Sequence, residues 1–155
     1  MTKTNAMRIL DKNKIKYEVI EYDISDGKID GVSVAEKTNQ DVREVYKTLV
    51  TQGNTKMIYV FVIPVNEELN LKKAAKVCGE KKVEMINVND ILKLTGYIRG
   101  GCSPVGMKKL YQTFIHKDVE CLERVCVSGG KKGLQIKLSP QDLKNASNAI
   151  FEDLI

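Results

Sequence analysis

Tyr46-Lys-Thr-Leu-Val-Thr51 and Lys56-Met-Ile-Tyr-Val-Phe-Val-Ile63, with Gly53-Asn54 between them, form the stretch on which the reading of this chain turns. β-Branched and aromatic residues crowd both arms, and a glycine beside an asparagine marks a reversal. The stretch therefore predicts strand, tight turn, antiparallel strand. In the first arm both alternating sets are apolar or β-forming: Val45, Leu49 and Thr51 on one side, Tyr46, Thr48 and Val50 on the other. Strands apolar on both faces favour a strongly curved or closed, barrel-like sheet covered by helices.

Towards the N-terminus, Thr2 or Thr4 caps a helix whose Ala6, Met7, Ile9 and Leu10 form an apolar stripe ending near Asn13-Lys14. A short strand follows at Lys16–Glu21. Ser33-Val-Ala-Glu36 and Asp41-Val-Arg-Glu44 have capping-box spacing and predict two short helices. Towards the C-terminus, Asn70 caps a helix through Val77, and Gly79 supplies the left-handed residue that ends it. A strand at Lys82–Met85 precedes a helix, Asp90–Leu94, opened by Asn87 or Asn89 and closed by Gly96. Gly100-Gly-Cys-Ser-Pro-Val-Gly106 must be a loop. Tyr111–His116, Arg124–Val127 and Leu134–Leu138 read as strands, with Ser128-Gly-Gly-Lys-Lys-Gly133 joining the last two. Ser139-Pro140-Gln141-Asp142 starts a final helix. With helices interleaved among six or seven strands, at least some of them antiparallel, the expected class is mixed α/β (α+β).

The 155 residues correspond to one domain, residues 1–155, and 43% hydrophobic with 29% charged residues suffices for a sizeable core. The longest apolar run, Met57–Val65, falls far short of the ~20 residues that span a bilayer, so no membrane is expected as a partner. The charged N-terminus lacks the apolar stretch of a secretory signal, and a cytoplasmic location is expected. Cys78, Cys102, Cys121 and Cys126 are irregularly spaced and read as reduced, small apolar core residues. With one histidine, His116, and no C-x-x-C pair, neither a metal nor another cofactor is expected.

A net charge of +5 favours polyanionic partners without requiring them. Lys72, Lys73, Lys76, Lys81 and Lys82 read as a solvated helix face, whereas Lys108-Lys109 and Lys131-Lys132 lie near glycines. No nucleophile elbow, P-loop, dinucleotide fingerprint or zinc-protease motif is present, and His116 reads as a half-exposed strand residue. Lys47 differs, because its strand is apolar on both faces. A partly buried lysine pairs, snorkels out or loses its proton, and it either covers a strand start or faces a cavity that receives an anion or carbonyl. Gly100–Gly106 and Ser128–Gly133 combine glycines, hydroxyls and lysines, so their freed amides can bind a phosphate or a developing oxyanion, or can simply form soluble turns.

Taken in order, Tyr46-Lys-Thr-Leu49, Leu71-Lys-Lys-Ala74 with Gly79-Glu-Lys-Lys-Val-Glu84, Thr95-Gly-Tyr-Ile-Arg-Gly-Gly-Cys-Ser-Pro-Val-Gly106 and Val127-Ser-Gly-Gly-Lys-Lys-Gly-Leu134 resemble the YbaK/EbsC family of aminoacyl-tRNA deacylases. The resemblance covers essentially the whole chain and looks nearest to the free-standing Cys-tRNA(Pro) deacylases, relatives of the prolyl-tRNA synthetase editing domain. It implies a barrel-like sheet ringed by helices and removal of cysteine from tRNA(Pro), the substrate's own thiol attacking its ester carbonyl. By the same resemblance, Lys47 is the key lysine and Thr48 its neighbouring hydroxyl. Gly100, Gly101, Cys102, Ser103 and Pro104 form the GxxxP loop, with amides near Gly101 holding the carbonyl or ribose end and Cys102 a pocket wall. Tyr22 and Ser128 match pocket residues, and Gln135 stands where an acid is frequent. Lys108, Lys109, Lys131 and Lys132 would follow the acceptor-stem phosphates, and a synthetase, prolyl-tRNA synthetase above all, would supply tRNA discrimination. Two other readings stay open: an Ala-tRNA(Pro) deacylase using activated water, and a noncatalytic module that binds RNA or a synthetase.

Overall fold

The computed structural model describes residues 2–155. In chain order the elements are α1 (Asn5–Lys12), β1 (Glu18–Glu21), α2 (Gly31–Lys37), β2 (Tyr46–Gly53), β3 (Ile58–Pro64), α3 (Leu71–Cys78), β4 (Val83–Met85), α4 (Ile91–Thr95), β5 (Gln112–His116), β6 (Val125–Lys131), β7 (Leu134–Leu138), α5 (Pro140–Ser147) and β8 (Ala149–Glu152). Short 3-10 turns at Val42–Glu44, Val88–Asp90 and Lys117–Cys121 complete them. No helix among the described residues is long and apolar enough to cross a membrane.

The mixed α/β class holds, but the strands do not close into a barrel. They form a five-stranded sheet, β4-β2-β3-β5-β8, and a three-stranded one, β1-β7-β6. Among the described residues one isolated parallel bridge, Val45 to Cys126, joins them. In the larger sheet β2 pairs antiparallel with β3 and β4, while β3–β5 and β5–β8 are parallel. Both pairings of the smaller sheet are antiparallel.

Apolar residues on both faces of β3 find separate partners. Val60 and Val62 pack with Tyr46, Val125, Val127, Ile136 and Leu138 between the sheets, under Met7 and Leu10 of α1. Tyr59, Phe61 and Ile63 face the other way, against Ala74 and Ala75 of α3. There Phe61 stacks on Phe114 with ring centroids 5.5 Å apart. Burying each such side chain contributes ~1.5–3 kcal/mol, so the doubly covered sheet is the main source of stability.

Several local expectations change. The β2–β3 turn is not the tight Gly53-Asn54 reversal: Gly53 N–H donates to Met57 O at 2.9 Å, and Lys56, not glycine, takes the left-handed conformation at φ 76°. That is a three-residue loop closed by a left-handed residue. The cap of α2 is Asp30 rather than Ser33; its carboxylate accepts from the Ser33 N–H at 3.1 Å and hydroxyl at 2.7 Å. β6 continues through Ser128-Gly-Gly130 to Lys131 with a bulge, so the predicted connector is mostly strand. His116 is buried, not half-exposed: Nδ1 accepts from the Leu154 N–H at 3.1 Å and fastens the C-terminal segment. Cys121 is exposed rather than in the core.

Candidate functional site

β2 places Lys47 and Thr48 opposite Ile63 and Val62 of β3, immediately beyond the bridge that joins the sheets. Across the seam, Ser128 of β6 lies in register with Gln135 of β7. Tyr22 follows β1, its N–H donating to Gly133 O at 3.0 Å. Gly100, in the left-handed region at φ 86°, turns the loop after α4 so that Gly100 and Cys102 complete the wall. A cavity of about 170 Å³ brings together Tyr22, Lys47, Thr48, Gly100, Cys102, Ser128 and Gln135. It is a small cleft, open to solvent on one side.

Three loop residues named with them fall elsewhere. The Gly101 N–H is already used, donating to Ile98 O at 2.9 Å, so it cannot hold a carbonyl or ribose end. A Cβ at Gly101 would meet Lys131 Cα at 2.7 Å and its carbonyl carbon at 2.9 Å, so this glycine lets the loop lie against its own chain, not against substrate. Ser103 is fully buried, its hydroxyl accepting from the Val105 N–H at 3.2 Å. Pro104 lines a separate small cavity with Lys109. Among the predicted phosphate contacts, Lys132 reaches the mouth: its Cε would be 3.4 Å from a Cβ on Gly100. Lys131 is exposed beside it, and Lys108 lies over Gly96, further from the cavity.

Sequence reasoning missed the wall contributed by Ile29, Gly31 and Val34 at α2 and by Val65 after β3. One signal was available in Gly31, the first residue of α2, where a Cβ would stand 2.3 Å from Val65 Cγ1. Only a glycine lets the helix start this close to Val65.

Burial holds the Lys47 ammonium below the ordinary lysine value, with Glu68 and then Glu67 opposing the shift. Burial also pushes the Cys102 thiol up to about 11, leaving it protonated and poorly nucleophilic at neutral pH. Thr48 Oγ1 is buried without a hydrogen-bond partner, a donor and acceptor left for something that enters. Gln135 is 5% exposed and its carbonyl accepts from Gln40 Nε2 at 3.1 Å. The Ser128 hydroxyl accepts from the Gly130 N–H at 3.2 Å. Among the described residues the lining holds one ammonium and no carboxylate or imidazole. Such a site positions a neutral or anionic group and stabilises negative charge developing on it.

Comparison with known proteins follows this geometry. Residues 29–146 match the model of the aminoacyl-tRNA editing domain. The chain is 43% identical over 98% of its length, and 93% of the relative's, to the Enterococcus faecalis protein named "Putative Cys-tRNA(Pro)/Cys-tRNA(Cys) deacylase EbsC". The solved structure of a "putative trans-editing enzyme for prolyl tRNA synthetase" superimposes with a TM-score of 0.83 at 23% identity, covering 99% of this chain and 98% of that one. Another, named only as a hypothetical protein, gives 0.88 at 21% identity over 97% and 99%. These two likenesses speak to the fold alone. With the matched family model spanning most of the chain and a relative this similar over nearly all of it, the chain belongs to the aminoacyl-tRNA editing domain family.

Proposed function

We propose that this chain is an aminoacyl-tRNA deacylase that removes cysteine mischarged onto tRNA(Pro), the substrate's thiol serving as nucleophile. The observation that carries the reading is the cavity itself: small, holding one ammonium and an unsatisfied hydroxyl, and lined by no carboxylate or imidazole among the described residues. A site built to activate water places a base within hydrogen-bond reach of it. A site that lets the substrate attack itself needs only to hold the ester and stabilise its oxyanion.

In this mechanism the cysteine sulfur gives up its proton and attacks the ester carbonyl carbon. The carbonyl oxygen becomes an oxyanion, facing the Lys47 ammonium. The intermediate collapses, the bond from carbonyl carbon to ribose oxygen breaks, and the ribose oxygen takes up a proton. The products are free tRNA and a cysteine thiolactone, which water then opens. Thr48 Oγ1 hydrogen-bonds the aminoacyl group, satisfying its own buried hydroxyl. Gln135, neutral and tied to Gln40, shapes the wall without offering the α-ammonium a countercharge. Cys102 stays a wall, its thiol too basic to compete. The 43% identical relative carries a name for Cys-tRNA(Pro)/Cys-tRNA(Cys) deacylation, which supports cysteine as the amino acid. A prolyl-tRNA synthetase is the partner proposed to deliver the tRNA.

One observation favours a second reading. Burial drives Lys47 towards its neutral form, the form in which it could take a proton from water, and such an enzyme would release alanine. Parallel deacylation of Cys-, Ser- and Ala-tRNA(Pro) separates the two. Cysteine release with serine and alanine spared is the expected result. Serine is close to cysteine in size, and a hydrophobic pocket rejects such near-isosteres only ~10–200-fold, so size selection alone would leave measurable serine release. Robust alanine release refutes the thiol route, and release of none of the three leaves a binding module.

A further inference from the structure

A second concavity, about 720 Å³ and larger than the aminoacyl cavity, lies apart from it. It lies at the opposite end of β2, where Lys56, Lys82 and Lys93 stand among the amides of Gln52, Asn54 and Asn87. Thr48 and Gln52 bound the interval between the two along β2; four residues at ~3.3 Å each place the groove about 13 Å from the cavity. Cations mark the segment from α4 to Gly100 that links groove and cavity. Lys132 sits at the cavity mouth beside Gly100, Arg99 precedes it, Lys108 covers Gly96, and Lys93 one turn earlier on α4 already lines the groove. All are exposed, and among the described residues none of Lys132, Arg99, Lys108, Lys93 and Lys56 lies within 4.0 Å of a carboxylate. Lys82 pairs with Glu84 at 2.7 Å, so that pair is neutral and the groove's net positive charge comes from Lys56 and Lys93 against Asp90. Lys82 also borders a second concavity with Lys72, Lys76 and Lys81, so the positive surface continues past the groove.

We propose that this track binds the phosphate backbone of the tRNA acceptor arm, the duplex resting in the groove of Lys56, Lys82 and Lys93 while its single-stranded 3′ end crosses α4 to the cavity. The inference rests on the deacylase reading and extends it to a surface remote from the chemistry. A line of cations mixed with side-chain amides is the donor set that holds phosphate oxygens, fixing position without reading sequence. A second copy of this chain fits poorly, since each carries +5 and the same lysines.

The test compares the wild type, the Lys56→Gln/Lys93→Gln variant and a Lys12→Gln/Lys16→Gln control of equal charge loss, with tRNA(Pro) as ligand. Each lost phosphate contact removes ~0.7–0.9 from the slope of log affinity against log salt, so the groove variant should lose about 1.4–1.8. The control should lose less, and its single-turnover rate at saturating Cys-tRNA(Pro) should match that of the wild type. An unchanged slope in the groove variant, in a protein whose wild type still deacylates, overturns the track and leaves the deacylase standing. A wild type that binds tRNA with the expected slope but cleaves nothing refutes the deacylase and keeps the track. If the groove variant keeps its RNA slope and instead loses binding to a polyglutamate peptide, the surface belongs to an acidic protein and the RNA assignment falls.

Discussion

Gly101→Ala distinguishes two roles for the glycine-rich loop. If Gly101 lay against substrate, a methyl group would block binding and leave the fold alone. The structure instead puts the new Cβ 2.7 Å from Lys131 Cα, 2.9 Å from its carbonyl carbon and 3.0 Å from Lys132 N, all backbone atoms of the β6–β7 end. Backbone cannot swing aside as a flexible side chain does, so loop and strand must separate by several tenths of an ångström. Forcing an extra carbon into a packed site costs ~1–3 kcal/mol. At roughly 2–4 °C per kcal/mol for a chain of this size, the melting temperature should fall by roughly 2–12 °C. Gly100 and Cys102 flank the displaced residue and line the cavity, so single-turnover deacylation should also slow. Thermal unfolding followed by circular dichroism, together with the rate at saturating substrate, reads both effects. Lost activity with an unchanged melting temperature would refute the packing argument and return Gly101 to the substrate.

The remaining expectations concern Lys47 and Thr48. Lys47→Met should abolish deacylation without lowering the melting temperature, because it removes a half-buried ammonium and keeps the apolar stem; retained turnover would make Lys47 structural. Because its folded value lies below its unfolded one, the unfolded chain holds more protons between the two. Stability should therefore rise with pH across that window up to the ordinary 10.5, a rise that Lys47→Met flattens in pH-dependent denaturant melts. Wild-type single-turnover rates, if they need the ammonium, should decline at a pH below 10.5, and a profile flat to that value would refute a charged role. Thr48→Val deletes a buried hydroxyl that has no partner, so stability should hold or rise, by at most ~1–3 kcal/mol, while KM increases; a clear loss of stability would mean the hydroxyl is satisfied in the free protein.

Elements whose signals are local were legible in the sequence. Asn70 caps α3, Gly79 ends it in the left-handed conformation, and Ser139 caps α5 through the Asp142 N–H, each a contact within a few residues. β8 was missed because its helix-ending residue is Asn148, not glycine, and its four residues gain strand identity only by lying parallel to β5. The two-sheet arrangement was misread for the same reason: residues apolar on both faces require cover, and helices or a second sheet provide it equally well. Within the site, Lys47 stood out on its own strand and Ser128 as part of a glycine- and lysine-rich turn, whereas Tyr22 and Gln135 were recognisable only through family resemblance. Gly101, Ser103 and Pro104 went with them because a glycine-rich motif does not reveal whether it approaches a ligand or its own backbone. Ile29 and Val34 carried no chemical signal, since nothing in an apolar side chain says it walls a cavity.

The seam at Val45 and Cys126 divides the labour of the cavity. The cation and the unsatisfied hydroxyl belong to the five-stranded sheet, anchored by β3, whereas Ser128 and Gln135 belong to the three-stranded sheet, with Tyr22 bonded to its edge. The backbone register of each wall is set within its own sheet, by β2–β3 on one side and β6–β7 on the other. A substitution at Ser128 or Gln135 therefore changes the shape and polarity of one wall of the cleft while the ammonium and hydroxyl on the other keep their places.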